Sequence, residues 1–343
     1  MSFAWIREPG EKSKVFSLSE SPVGDFYFAQ FDGSLIQLLI NDIVKQDCSK
    51  WVSDNLILSN LPDINPEDSH LYEDFVKVVS RASEVCLNGV LEKVVLSRTK
   101  AHKSILVSPI NVFERLCEEY PLATIYMILI DGYSLWMGAT PECLLELNGR
   151  DLKTMSLAAT RPVNSKGVWG IKEQEEQHLV TRDIVHMLDA LGCKNIRVNG
   201  PEILPAGPVE HLCSLIEAES PIGPAITMIK SLHPTPAVCG TPRQLALDYI
   251  LSNEAYEREF YAGFFGELNV PTDQTFRNSK KNIENRAYQT DRKSTHLAVN
   301  LRCMKLDNSL ATLFSGSGIT KDSDPLTECI EIQNKIATIK KVL

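Results

Sequence analysis

Hydrophobic residues along this chain recur with two different periods. Apolar positions spaced three and four apart predict helices over 71–87, with Phe75, Val78, Val79 and Ala82 on one side, over 111–120, and over 173–192, which ends at Gly192. Shorter helices fit 225–232 and 242–254. Alternating or continuously apolar runs predict strands at 26–33, 35–42, 90–102, 123–130, 134–160, 196–220, 260–269, 295–307 and 310–319. Strand runs and long helices do not alternate as strict βαβ units. That favours an α+β fold over a doubly wound sheet. Residues 1–70 read as a strand-rich part of the same domain as 71–343, since no later point looks like a boundary. The stretches 59–70 and 276–295 read as surface loops.

The last helix poses the chemical question. In "SDPLTECIEIQNK", 323–335, Asp324 suits the N-cap and Pro325 the first helical position. Glu328, Glu331 and Lys335 then project from one face, while Leu326, Ile330 and Ala337 lie opposite, as an anchoring face would. Such a stripe is commonly a solvated face. The alternative is a hard-cation site, because Mg2+ takes a few carboxylates plus water and an anionic substrate. Glu173 and Glu176 form a second pair three apart near a helix start, where acids also suit the helix dipole. "FSGSGIT", 314–320, reads as a glycine-rich turn able to offer backbone N–H groups to an anion. Arg302 could clamp a carboxylate. Lys93 opens an apolar strand, where an ammonium can be converted to a base or simply snorkel from an edge.

Composition narrows the classes. A net charge of -9 argues against a nucleic-acid partner but leaves room for a local cationic pocket. Nine cysteines without a CxxC pair fit free thiols in a reducing compartment and give no zinc spacing. No signal-like start and no run of membrane length is visible, so a cytoplasmic protein with no membrane partner is expected.

Several longer strings go further. "LEKVVLSR", "GATPECLLEL", "LAATRP", "KEQEEQHLV", "LHPTPAVCG", "YAGFFGEL", "LRCMKL", "LFSGSGIT" and "DPLTECIEIQNK" follow one another in the order found in the chorismate-utilising enzymes, and the chain resembles that family over about residues 70–343. The family includes anthranilate, aminodeoxychorismate, isochorismate and salicylate synthases. The resemblance implies one large α+β domain of orthogonally packed antiparallel sheets flanked by helices. It also implies a Mg2+-dependent pocket for chorismate. Glu176 and Glu331 would be direct metal ligands, with Glu173 and Glu328 acting directly or through water.

Particular positions point to the water-using, isochorismate-forming branch. Lys93 matches the lysine of that branch and would act as base on water. Glu142 would be the general acid at the departing hydroxyl. Ala158 replaces the nucleophilic lysine of aminodeoxychorismate synthases, and Ala237 looks like the isochorismate synthase residue. Thr160 and His233 would line the pocket, although a loop histidine satisfied by backbone groups is the plainer alternative for His233. Arg302 and Lys335 would hold carboxylate oxygens beside Gly316 and Gly318. Gln177 and Ala159 depart from the family's usual His and Gly. No glutamine amidotransferase subunit is expected, and a monomer or homodimer is. A salicylate synthase and a catalytically silent binding subunit are the competing readings.

Overall fold

The structure, a computed structural model, describes residues 1–57, 61, 72–103, 108–163, 165, 167–271, 293–307 and 310–343. The loop 59–70 and most of 276–295 fall outside them, apart from Leu61 and 293–295. The chain begins with β1 (Ser2–Arg7), β2 (Lys14–Glu20), β3 (Phe26–Ala29), β4 (Leu35–Val44), α1 (Cys48–Asn55) and α2 (Tyr72–Leu87). It continues through β5 (Lys93–Lys103), α3 (Pro109–Glu119), β6 (Thr124–Leu129), β7 (Leu135–Thr140), β8 (Cys143–Asn148), β9 (Asp151–Pro162) and α4 (Ile171–Ala190). Next come β10 (Lys194–Ala206), β11 (Val209–Glu219), α5 (Ala225–Leu232), β12 (Gly240–Thr241) and α6 (Arg243–Asn253). The end is β13 (Phe264–Pro271), β14 (Lys293–Val299), β15 (Cys303–Leu306), β16 (Leu310–Ile319) and α7 (Pro325–Lys340).

The expected α+β class holds. The strands join into one antiparallel hydrogen-bonded path, β10-β11-β9-β8-β14-β13-β3-β4-β2-β1-β6-β7-β15-β16-β5-β12. Register shifts interrupt β11/β9, β14/β8, β13/β14 and β2/β4. Each such bulge bends its strand, which lets so long a path curl instead of lying flat. β6 and β7 are buried almost throughout, as continuous apolar runs require. Stacked rings knit the layers: Trp5 on Phe113 at 3.8 Å, Phe28 on Phe260 at 3.9 Å, and Trp136 on Phe314 at 5.0 Å between centroids.

Two expectations about the end of the chain are corrected. Residues 314–319 are not a turn. They belong to β16 and pair with β5 through Phe314↔Thr99, Gly316↔Ser97 and Gly318↔Val95. The glycines serve close packing, not flexibility. A Cβ on Gly318 would collide with Glu176 Oε1 and lie 2.8 Å from Lys93 Cε. The anchoring face of α7 is also reversed. Leu326 is 54% and Ile330 52% exposed, whereas Glu328 is 1% exposed. Cys329, Ile332, Ile336 and Ile339 fasten the helix, and its acidic stripe turns inward toward β16. The cap is as expected, with Thr327 N donating to Asp324 Oδ1 at 2.8 Å.

Candidate active site

A cavity of about 110 Å3 opens where β9, β16, α4 and α7 meet the β7–β8 link and the 233–239 loop. Of the residues singled out from sequence, Glu142, Thr160, Glu176, Ala237, Arg302, Gly316, Gly318, Glu331 and Lys335 line it. A larger cavity of about 580 Å3 lies beyond Glu176, which forms a wall of both.

Glu142 sits at the cavity with 2% exposure. Its Oε1 accepts from Thr235 Oγ1 at 3.2 Å. Burial pushes its carboxyl up to about 8, against the opposing effects of the Thr235 hydrogen bond and the Lys93 charge. It is therefore a carboxylic acid that keeps its proton at neutral pH. Lys93 is not an edge lysine. It is 1% exposed, and its Nζ lies 3.0 Å from Glu176 Oε1, directly over Gly318.

The acidic pairs divide. Glu173 belongs to the first turn of α4, with its carboxylate folded back over Gly170, so it serves the helix start and not the cavity. Glu176, Glu328 and Glu331 do share a region, but each meets an ammonium. Glu176 pairs with Lys93, Glu328 with Lys172, and Glu331 with Lys335 at 2.6 Å. Glu328 also accepts from Ser317 Oγ. Among the described residues no three acidic, histidine or cysteine side chains are gathered as a ready-made metal cluster. The donor set still suits a hard cation. It is oxygen only, and burial raises the Glu331 carboxyl, with Lys335 opposing and Glu328 and Glu176 adding to the rise. Glu331 stays raised despite Lys335, so further positive charge beside it would favour its ionised form.

Arg302 precedes β15 with φ 46° and donates through Nη1 to Ala206 O at 2.8 Å. Its Nη2 meets His211 Nε2. An arginine is always the donor, so Nε2 accepts and the His211 proton sits on Nδ1, which lies 2.9 Å from Ala159 O and 3.1 Å from Thr160 Oγ1. Burial holds His211 well below its ordinary pKa, and the Arg302 and Lys335 charges add to this, so the ring is neutral. His211 was not foreseen. It stands on β11, and the shift in register between Thr160 and Ala158 leaves Ala159 as the bulged residue that receives it. Ala159 has φ 56°, the left-handed region where a Gly, the residue that the family resemblance leads one to expect here, would be at ease. Gln177 secures the same bulge from α4, accepting from Ala158 N at 3.0 Å and donating to Ser156 and Ser214. Lys335 Nζ donates to Gly316 O at 3.0 Å, which places its ammonium on the cavity wall.

His233 does not line the cavity. Its ring packs on Phe264, and its Nε2 lies 3.2 Å from Gln30 O. Burial lowers its pKa to about 4. The fold thus follows the backbone-bonded alternative through Nε2, while Nδ1 is buried without a hydrogen-bond partner.

The cavity is thus walled by a neutral acid, an arginine, a lysine and two carboxylates, groups able to bind charge and to move a proton. The chain matches the family described as chorismate binding enzyme over residues 40–277 and 288–343, and it belongs to that family. Isochorismate synthase MenF of Escherichia coli is 28% identical over 283 residues, 78% of this chain and 60% of the relative. Isochorismate synthase EntC of Escherichia coli is 26% identical over 280 residues, 78% and 66% respectively. The chain thus spans less than two thirds of these relatives' own length. The solved structure of Escherichia coli MenF, described as menaquinone-specific, superposes with TM-score 0.78 at 21% identity, over 100% of this chain and 89% of that one. Anthranilate synthase component I from Streptococcus pneumoniae superposes with TM-score 0.69 at 20% identity, over 94% and 81%. These two likenesses establish the fold. No helix among the described residues is long and apolar enough to cross a membrane.

Proposed function

We propose that this chain is an isochorismate synthase, converting chorismate reversibly to isochorismate. The observation that carries this is Glu142, held protonated by burial on the cavity wall, with the buried Lys93 behind the lining, paired with the wall residue Glu176 and near enough for its charge to act on Glu142. In the reaction, water adds at ring carbon 2 while the hydroxyl on carbon 4 departs and the ring double bonds shift. Lys93, an ammonium paired with Glu176 in the resting site, first releases its own proton to solvent and then takes the proton from the attacking water. Glu142 gives its proton to the leaving hydroxyl. The two groups end with exchanged protonation, which makes the reverse reaction equally available. Arg302 and Lys335 hold substrate carboxylates, and His211, neutral and accepting from Arg302, fixes the guanidinium for that contact. Ala158 lines the cavity without an amine, so no covalent attack can start from that position.

Glu176, Glu328 and Glu331 would hold Mg2+. When bound, the ion supplies positive charge that offsets the substrate's anionic groups. Lys172 would then give up its contact with Glu328. Nothing else in the chain is assigned to the metal.

The test is purified protein incubated with chorismate and Mg2+, with EDTA as control and products resolved by chromatography. Isochorismate in EDTA-sensitive equilibrium with chorismate supports the reading. Salicylate with pyruvate would make the chain a salicylate synthase. Unchanged chorismate with folded, Mg2+-supplied protein would make it a silent binding homologue.

A further inference from the structure

Three ammonium groups meet the three inward carboxylates, and the reaction uses only two of them. Lys93 is the base and Lys335 a substrate contact. Lys172, the second residue of α4, has no part in it. Its Nζ meets Oε1 of Glu328, while the other oxygen of that carboxylate accepts from Ser317 Oγ. Glu328 is 1% exposed, so these two contacts are what make its charge tolerable in the interior. Burial opposes the charge on Lys172, but Glu328 first, then Glu176 and Glu331, hold its pKa above the ordinary value.

The three lysines differ in their freedom to move. Lys93 is 1% exposed. Lys335 is tied to Gly316 O at 3.0 Å as well as to Glu331. The Lys172 side chain is 26% exposed and borders the second cavity, of about 580 Å3. The exposed acids Glu175 and Asp322 line that cavity too. An ammonium that swings there trades a buried carboxylate for water and hydrated ones.

Charge decides what a metal would do to this arrangement. Three carboxylates and three ammonium groups sum to zero. A divalent cation added to them leaves two positive charges in excess in a largely buried region, where repulsion is poorly screened. Departure of Lys172 halves that excess and frees Glu328 Oε1, an oxygen of the kind a hard cation takes. Ser317 keeps the other oxygen, so the carboxylate stays oriented while Oε1 changes partner.

We infer, on the reading that Glu176, Glu328 and Glu331 hold Mg2+, that Lys172 is a tethered counter-cation that competes with the metal for Glu328 and withdraws into the second cavity when the ion binds. The metal-free chain is thereby spared an unpaired buried carboxylate. Metal affinity is lowered in proportion to the fraction of molecules in which Lys172 occupies Glu328.

The experiment titrates Mg2+ alone into metal-stripped protein by calorimetry, comparing wild type with Lys172→Met, which keeps the stem and removes the charge. The variant should bind Mg2+ at least about tenfold more tightly. In EDTA it should melt below wild type, and saturating Mg2+ should raise its melting temperature by more. A second measurement needs no variant. Wild type is acetylated by an N-hydroxysuccinimide ester with and without saturating Mg2+, and each lysine is read by peptide mass spectrometry. Lys172 should react several-fold faster with Mg2+, while Lys321, exposed on the same cavity, keeps its rate. Equal Mg2+ affinity in folded Lys172→Met, or a Lys172 labelling rate indifferent to bound Mg2+, would overturn the inference and leave the isochorismate synthase reading standing. Failure of both proteins to bind Mg2+ would overturn the metal set and this inference together.

Discussion

Replacing Glu142 with Gln should separate stability from turnover. Gln has the shape of the neutral acid and still offers an oxygen to Thr235. In the unfolded chain Glu142 ionises above its ordinary value of 4.5, while in the fold it keeps its proton to about 8. The unfolded state therefore binds fewer protons across that window, and folding stability falls as pH rises through it. The difference is about three and a half pH units at about 1.4 kcal/mol each, or up to about 5 kcal/mol. Glu142→Gln removes this dependence. Wild type and variant should be nearly equal in stability below pH 4.5, with the variant gaining progressively up to pH 8 and then holding a constant lead. Turnover should drop by about 10²–10⁴-fold, because an amide cannot protonate a leaving hydroxyl. Wild-type turnover should itself decline as pH rises past about 8, where the acid loses its proton. Denaturant titrations at several pH values, run beside a chorismate assay, read both effects. A variant less stable than wild type at pH 8, or a gap that does not change with pH, would refute the buried neutral acid.

Other substitutions probe the remaining parts. Lys93→Ala should cost about 10²–10⁴-fold in turnover, and near-normal activity in the steady state would end its role as base. Glu331→Ala should weaken the response to Mg2+, visible as a reduced rise in melting temperature on adding the ion; an unchanged Mg2+ titration would remove Glu331 from the metal set. Gly318→Ala forces Glu176 and Lys93 apart from their shared position, so about 10²-fold of activity should go while circular dichroism stays native. Ala159→Gly relieves a left-handed alanine and should add up to about 1 kcal/mol in denaturant unfolding. A clear loss of stability there would show that the bulge depends on the methyl group.

Much of this was legible along the chain, and what was not has a common cause. The α7 cap, the span of α4 to Gly192 and the strand runs follow from local spacing, and the structure carries them at nearly the expected bounds. Glu142 and Thr160 were reached through family strings and Arg302 first through its residue type, and all three line the cavity. The inward turn of α7 was hidden because hydropathy places Leu326 and Ile330 inside. Lys172 from α4 and Lys335 from α7 itself make burial of the Glu328 side tolerable, and the Lys172 pairing is remote in sequence. "FSGSGIT" has the composition of a turn. Its glycines instead clear space for a lysine and a glutamate arriving from other elements. His211 carries no local signal at all, since its place depends on the bulge at Ala159. The one trace of it was Ala159 itself, at a position where the family resemblance leads one to expect glycine and where φ is 56°. His233 shows the opposite error, a histidine in a promising string whose ring the fold turns toward Gln30.

The central claim is that solvent water is activated in this cavity and becomes the new hydroxyl. The most direct test is a single-turnover reaction of chorismate with Mg2+-supplied protein in heavy-oxygen water, with the product analysed by mass spectrometry. The account predicts isochorismate carrying one heavy oxygen on ring carbon 2. Unlabelled isochorismate, showing that the substrate's own hydroxyl had migrated, would contradict the roles given to Lys93 and Glu142.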